Sequence, residues 1–242
     1  SCAVNPCVGR ETEITPAEVK KKVVVVGGGP AGLYAAALCA KKGHEVILLE
    51  KGAEPGGSFR TASFPTGKGQ ISAAIRAMIV RCEKAGVDIR LNTEVNEEML
   101  KELHADVMIL ATGSTPLILP IPGLKESGYV TAQEMLLGRA EPGKKVLIAG
   151  GGMVGCEAAE YLAERGHEVT IIEMKDVIAA NVVPENRKYM FENFRRNQVQ
   201  LLPGAKVCQF YPDGVDYTMA DGTAGSLHGF DSVVLAMGTR RY

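Results

Sequence analysis

Two α/β domains, each built around a parallel sheet, are what this sequence of 242 residues predicts. Three observations predict them. The chain repeats itself: residues 22–50 (KVVVVGGGPAGLYAAALCAKKGHEVILLE) and 145–173 (KVLIAGGGMVGCEAAEYLAERGHEVTIIE) agree at fourteen of 29 positions, at an offset of 123. That offset is a domain's length, far beyond the ~20–50 residues of a solenoid repeat. Each copy also opens on a β-branched or aliphatic run, 23–26 and 146–149, apolar on both faces as a buried parallel strand must be. Finally, 28 glycines make up about 12% of the chain against ~7% ordinarily, and they cluster where those strands give way to helices.

Within each copy the elements follow in one order. After the strand and its glycines comes an Ala-rich helix, about 31–41 and about 153–165, stopped by Gly43 or Gly166 at the position that favours left-handed backbone. A second strand, 46–49 or 169–172, ends on an acid, Glu50 or Glu173. This is βαβ with G-x-G-x-x-G at its first turn: Gly27, Gly29 and Gly32, then Gly150, Gly152 and Gly155. The first glycine permits the tight turn, the second lets the backbone approach a pyrophosphate, and the third lets helix pack on strand. The helix N-terminus offers free N–H groups and a positive dipole end to the phosphates. The acid, 23 positions after the first glycine in both copies, can accept hydrogen bonds from a ribose diol. A glycine turn kept only for packing is the competing reading, and it suits one copy better than two. The fold class is therefore α/β with two Rossmann-like dinucleotide-binding domains.

The intervening stretches fill in each domain. Residues 51–59 read as a polar turn holding the Gly56-Gly57 pair. Residues 68–84 read as a helix with Ile71, Ala74, Ile75, Met78, Ile79 and Cys82 on one face. A strand at 87–91, a short helix at 97–103 and a strand at 106–110 lead into Ala111-Thr112-Gly113, and the proline-rich 116–123 is a stiff crossover. Past the second copy, 184–198 suits a helix with proline at its start. Strands at 207–211 and 215–220 flank Asp213-Gly214 as part of a β-meander, and a strand at 230–236 runs into Met237-Gly238-Thr239. Leu235-Ala236-Met237-Gly238 and Leu110-Ala111-Thr112-Gly113 read as equivalents, one closing each domain.

Composition excludes several classes. Lys plus Arg is 27 against 28 Asp plus Glu, and aromatics are 5% with no Trp, which argues against nucleic acid as a partner. The uncharged run 23–40 has the 18 residues at which a membrane span must be considered, but Gly27-Gly28-Gly29-Pro30 interrupts it, so no membrane partner is expected. The amino end lacks the pattern of a secretory signal. Cys2, Cys7, Cys39, Cys82, Cys156 and Cys208 include no Cys-x-x-Cys, so no zinc site or dithiol of that spacing is encoded. Buried reduced thiols in helices and strands, in a reducing cytoplasm, are the simplest reading of them. His44 and His167 occupy the same turn of each copy, which implicates the turn and not chemistry; Lys20-Lys21-Lys22 reads as a solvated linker.

The arrangement resembles the FAD-dependent pyridine nucleotide-disulphide oxidoreductases, in which a NAD(P) domain is inserted into a FAD domain. GGGPAGL at 27–33, Glu50, Gly56-Gly57 and Ala111-Thr112-Gly113 are similar to the FAD domain, and GGGMVGCEAAEYL at 150–162 with Glu173 is similar to the NAD(P)H domain. The resemblance implies FAD contacts from Gly27, Gly29, Pro30, Ala31, Gly32, Glu50, Lys51, Gly57, Ser58, Val95, Ala111, Thr112 and Gly113. It implies NAD(H) contacts from Gly150, Gly152, Met153, Val154, Glu157, Glu173 and Gly238, with Glu157 beside the nicotinamide. No catalytic side chain is assigned, because the flavin supplies the redox chemistry. The acid at 173 favours NADH over NADPH.

The first ten residues narrow the resemblance. Ser-Cys-Ala-Val-Asn-Pro followed by Gly9-Arg10-Glu11 is similar to the junction in 2,4-dienoyl-CoA reductase, enoate reductase and trimethylamine dehydrogenase, the NADH:flavin oxidoreductases. There the Cys is the last of four [4Fe-4S] ligands following a FMN-binding barrel, and Cys2 matches it. Neither the other three ligands nor the barrel belongs to this sequence, so a cluster and FMN are expected only in a longer protein. The implied organisation is a linker at 1–20, a FAD-binding part at 21–123, a crossover at 124–143, a NAD(H)-binding domain at 144–239, and a truncated return to the FAD domain at 240–242. A FAD domain lacking its closing segment should leave a strand edge or a poorly packed face exposed. The implied function is hydride passage from NADH to FAD, then electron passage through the cluster to FMN and an unsaturated substrate. The alternative, as in trimethylamine dehydrogenase, is a structural ADP-binding module that takes up no NADH.

Overall fold

The computed structural model describes residue 5 and residues 7–241, so Cys2 and the cluster expectation attached to it lie outside the described residues. The chain divides into two compact units, the first running to Ser63 with Lys68–Gly113 and Arg241, the second comprising Phe64–Gly67 and Ser114–Arg240.

The first unit begins with β1 (Lys22–Val26), α1 (Pro30–Lys41) and β2 (Glu45–Leu49), continues through α2 (Ser58–Ala62) and α3 (Gln70–Lys84), and ends with β3 (Asp88–Arg90), α4 (Glu97–Glu102) and β4 (Val107–Leu110). Its four strands form a parallel sheet in the order β3-β2-β1-β4. Because successive strand residues face opposite ways, Val23, Val25, Val46 and Leu48 pack with Leu33, Ala36, Met78 and Cys82 of α1 and α3. Val24, Val26, Ile47 and Leu49 instead pack under Met99 and Leu100 of α4. The uncharged run 23–40 is thus a buried strand, a turn and a helix, and no described helix is long and apolar enough to cross a membrane. β4 is an edge strand whose Met108 and Leu110 are 42% and 70% exposed.

The second unit follows with β5 (Ser114–Pro116), β6 (Val130–Thr131), α5 (Ala132–Leu136), β7 (Lys145–Ala149), α6 (Met153–Ala163), β8 (Glu168–Ile172), α7 (Pro184–Arg196) and β9 (Gln200–Leu202). The meander β10 (Ala205–Tyr211), β11 (Gly214–Met219) and β12 (Ala224–Leu227) precedes β13 (Ser232–Leu235) and β14 (Thr239–Arg241). The main sheet is parallel, in the order β6-β13-β7-β8-β9. Helices α5, α6 and α7 cover one face, and the antiparallel meander covers the other through Phe210, Val207 and Val215. β5 and β14 form a separate two-stranded ribbon.

Several boundaries and one burial differ from the sequence reading. Pro30, whose missing N–H costs nothing at a helix start, begins α1 one residue earlier than expected. α7 stops at Arg196, two residues early, because Gln198 takes a left-handed backbone at φ +56°. The supposed turn 51–59 runs into α2, and the crossover 124–143 carries β6 and α5. Cys208 is exposed and not buried: β10 alternates, and Cys208 shares the outward face with Lys206. Cys82 and Cys156 are buried, and burial raises their thiols to about 11 and about 12 respectively.

Candidate dinucleotide sites

The two glycine loops are built atom for atom alike. Gly27 N–H donates to Leu49 O at 2.8 Å, and Gly150 N–H to Ile172 O at 2.9 Å, 123 residues on at both ends. Both glycines have left-handed backbone, φ +106° and +112°, and a Cβ on either would stand 2.4 Å from a carbonyl oxygen, Ala111 O or Ala236 O. The third glycines are tighter still, since a Cβ on Gly32 or Gly155 would stand 1.8 or 1.9 Å from the first glycine's own oxygen. No other residue fits there, because real Cβ contacts do not come that close. The strand ends Ala111 and Ala236 are themselves equivalents: each donates its N–H to the first strand, at Val26 O or Ala149 O, over 2.8 Å.

The second glycine of each loop behaves differently. A Cβ on Gly29 would meet nothing nearer than Gly57 Cα at 4.0 Å, and one on Gly152 nothing nearer than Asn181 Oδ1 at 3.8 Å. Gly29 and Gly152 are also the N-caps of α1 and α6, and neither helix receives a cap from its own N-cap side chain. Each loop therefore brings bare backbone and a helix N-terminus to the same accessible point, the arrangement that suits a pyrophosphate.

The two acids are held identically. Glu50 Oε2 accepts Gly28 N–H at 2.7 Å and its Oε1 accepts Gly52 N–H at 2.7 Å; Glu173 Oε2 accepts Gly151 N–H at 2.6 Å and its Oε1 accepts Lys175 N–H at 2.9 Å. Each carboxylate oxygen takes one backbone donor and keeps acceptor capacity for a hydroxyl. The middle glycines, Gly28 and Gly151, were outside the motif as read, yet a Cβ on either would stand 2.9 Å from its glutamate. The signal was present: both copies read Gly-Gly-Gly where the motif requires only the first and third.

Residues 21–242 match the pyridine nucleotide-disulphide oxidoreductase family. The chain belongs to that family. It is 41% identical over 244 residues to a NADH oxidase of Thermoanaerobacter brockii and 40% identical over 242 residues to a bilirubin reductase of Mediterraneibacter gnavus strain CC55_001C, covering 98% and 99% of this chain. The solved structure of a 2-naphthoyl-CoA reductase in complex with 2-naphthoyl-CoA aligns over 99% of the chain with a TM-score of 0.91 and 32% identity. In all three comparisons the chain spans 37% of the relative's length. As a member of the pyridine nucleotide-disulphide oxidoreductases it is an FAD- and NAD(P)H-dependent oxidoreductase module with Rossmann-like domains.

The family's two cofactors fit the residues present: each loop leaves an open second glycine at a helix N-terminus, and each acid keeps acceptor capacity that a hydroxyl could use. Around α1 the structure gathers Gly27, Gly29, Pro30, Ala31, Gly32, Glu50, Gly57 and Ala111. Ser58 opens α2 directly after Gly57, and Thr112 and Gly113 follow β4. Gly113 and Gly238 share a left-handed backbone at φ +71° and +108°. Lys51 is exposed, whereas Val95 packs into the α4 face of the core, on a segment tied to β2 by the Thr93 N–H to Glu50 O bond of 2.9 Å. At the second loop Gly150, Gly152, Gly155 and Glu173 converge, with Met153 and Val154 exposed at the start of α6. Glu157, one turn further along α6, is 8% exposed, so it is a buried carboxyl and not a solvated helix residue. The turn histidines are structural: His44 Nδ1 accepts Lys21 N–H at 3.2 Å, and His167 Nδ1 pairs with Gly143 O at 2.8 Å.

Proposed function

We propose that the first unit holds FAD and the second NADH, and that the chain carries reducing equivalents from the nicotinamide to the flavin. The observation that supports this best is the duplicate pinning of Glu50 and Glu173, each bonded through both oxygens to its own glycine loop. A carboxylate so held is oriented before a ligand arrives, and the affinity lost to ordering is correspondingly small. In this reading Gly27, Gly29, Pro30, Ala31, Gly32, Glu50, Lys51, Gly57, Ser58, Val95, Ala111, Thr112 and Gly113 serve the flavin nucleotide. Gly150, Gly152, Met153, Val154, Glu157, Glu173 and Gly238 serve the nicotinamide nucleotide. The flavin supplies the two-electron chemistry; the chain binds, orients and excludes water.

The onward path extends the proposal. The relatives are nearly three times the length of this chain, and a Cys2-linked [4Fe-4S] cluster and a FMN barrel in the same polypeptide would take electrons onward to an unsaturated substrate. The five described cysteines are free thiols; Cys82 and Cys156 are held protonated by burial, which fits delivery to a metal centre or a second flavin better than a dithiol relay. The test is anaerobic addition of NADH to the full-length protein, with flavin absorbance followed. Rapid bleaching is the expected result. Unbleached flavin, with ADP recovered from the second unit, would replace the proposal with a structural nucleotide module.

A further inference from the structure

One end of the meander gathers three ionisable side chains around an imidazole. His228, just past β12, has its Nδ1 3.1 Å from Asp213 Oδ1 in the β10–β11 turn and its Nε2 3.9 Å from Asp216 Oδ1 on β11. Its ring leans on that of Tyr211 at the end of β10, centroids 5.3 Å apart, and the Tyr211 hydroxyl donates to Asp216 Oδ2 at 2.8 Å. Among the described residues, Tyr211, Asp213 and Asp216 are the ionisable groups in contact with the imidazole.

The proton positions follow from these partners. Hydrogen bonds from His228, then from the Gly229 N–H, hold the Asp213 carboxyl below the usual carboxylate range, so it is ionised and only accepts. The Nδ1 that faces it therefore carries a hydrogen whether the ring is charged or neutral. In the neutral ring Nε2 is then a lone pair turned toward a second carboxylate, Asp216. Protonation replaces that lone pair with an N–H and gives the cation a carboxylate on each side. Tyr211 remains a donor through neutral pH, because its hydrogen bond to Asp216 raises the phenol.

The same turn holds the loop that leads into β13. Asp213 Oδ2 accepts the Gly229 N–H at 3.2 Å, and Asp213 O accepts the Phe230 N–H at 2.9 Å. Asp231, the next residue, makes two 2.8 Å bonds to Lys145: its N–H donates to Lys145 O and its Oδ2 accepts the Lys145 N–H. Residues 228–231 thus join the meander to the roots of β7 and β13. The first unit repeats only the last of these links, since Asp106 bonds Lys22 in the same two ways, at 2.9 and 2.7 Å, and α4 stands where the second unit has its meander.

We propose that His228 is a proton-operated clasp, closing residues 228–231 on the meander when its ring is charged and loosening them when it is neutral. The side chains of His228, Asp213 and Asp216 are 44%, 55% and 43% exposed, so the added ion pair is worth a small factor and the response is graded. Because β7 runs from Lys145 into Gly150, the clasp bears on the strand that presents the second glycine loop, whichever nucleotide that loop takes.

Hydrogen exchange of the Gly229 and Phe230 amides in the 242-residue chain tests this, each rate being expressed as protection relative to an unstructured peptide at the same pH. Between about pH 5 and about pH 8 protection should fall by about two- to fivefold, the range that an exposed ion pair supplies. His228→Gln, which still donates to Asp213 but takes up no proton, should abolish the fall. Asp216→Asn, which keeps an acceptor for Tyr211 and removes the charge facing Nε2, should remove most of it. Protection independent of pH in the wild type would overturn the proposal, and so would a full response in either variant. The β7 amides are the internal control: if they respond to pH as strongly as Phe230, the effect belongs to the whole unit and the clasp is rejected.

Discussion

At the scale of single residues, the proposed function assigns coenzyme choice to Glu173. Its carboxylate is fixed by Gly151 and Lys175 backbone donors, so it cannot swing away from a ligand without breaking both bonds. A ribose diol can donate to it, whereas a 2′-phosphate would face it as a like charge. Two unit charges 4 Å apart at an effective dielectric near 20 repel by about 4 kcal/mol, roughly three decades in affinity before salt screening. Lys175 is exposed and could soften this as a point charge, though without the planar fork of arginine. We predict that the chain binds NADH at least tenfold more tightly than NADPH, and that Glu173→Gln, which keeps the shape and removes the charge, abolishes most of that ratio. Titration of nicotinamide fluorescence with each coenzyme measures it. A NADPH preference in the wild type, or an unchanged ratio in the variant, would remove Glu173 from this role. The motif glycines and both acids were legible in the sequence because steric and charge requirements fall on residue types. The bond from Met153 N–H, at the start of α6, to Asn181 Oδ1 at 3.0 Å was not legible, because 28 residues of chain separate the partners and no motif links them.

At the scale of elements, what the sequence revealed depended on length and periodicity. β1, β2, β7 and β8 are five-residue apolar strands and α3 shows an apolar stripe through Ile75, Met78 and Cys82, so each stood out. β6 has two residues and α5 and α2 five apiece, too short for a period to register. One signal for α5 was present and overlooked: Thr131 and Glu134 form a capping box, in which Glu134 N–H donates to Thr131 Oγ1 and Glu134 Oε2 accepts Thr131 N–H at 3.0 Å. Hydrogen bonds from the Thr131 side chain, then its backbone, hold the Glu134 carboxyl below the usual carboxylate range. A carboxyl whose folded value lies below its unfolded value stabilises fully above the unfolded value and loses that contribution as pH falls through the folded one. We therefore predict that Thr131→Ala destabilises the second unit by about 1 kcal/mol near neutral pH. The gap between variant and wild type should narrow in acid below the carboxylate range. Denaturant unfolding at the two pH values decides it, and a gap that is independent of pH would mean that the carboxylate contributes nothing to the cap.

At the scale of the whole molecule, duplication has produced two units with unequal cores. In the first unit, clusters of ten and four buried residues lie on the two sides of a four-stranded sheet, with Leu110 left 70% exposed on the edge strand. In the second, clusters of eighteen and ten residues flank five strands, and β13, the counterpart of β4, has Val234 and Leu235 buried beneath neighbours that include β6. The difference arises in the crossovers: the first unit returns to its last strand through the short helix α4, the second through the three-stranded meander. Buried apolar area is the dominant favourable term, at about 25 cal/mol per Å², so the first unit should be the less stable of the two. We predict that the chain unfolds in two steps, with the first unit melting at the lower temperature. A ligand that binds only the folded form stabilises it by about 2.7 kcal/mol at a hundred times its dissociation constant, and in a unit of about 100 residues that raises the midpoint by roughly 10–20 °C. FAD should therefore move the lower transition and NADH the upper one, which calorimetric scans with each ligand alone and with both will show. A single transition shifted equally by either ligand would mean that the two units fold as one cooperative body and that their separate cores do not set their stabilities.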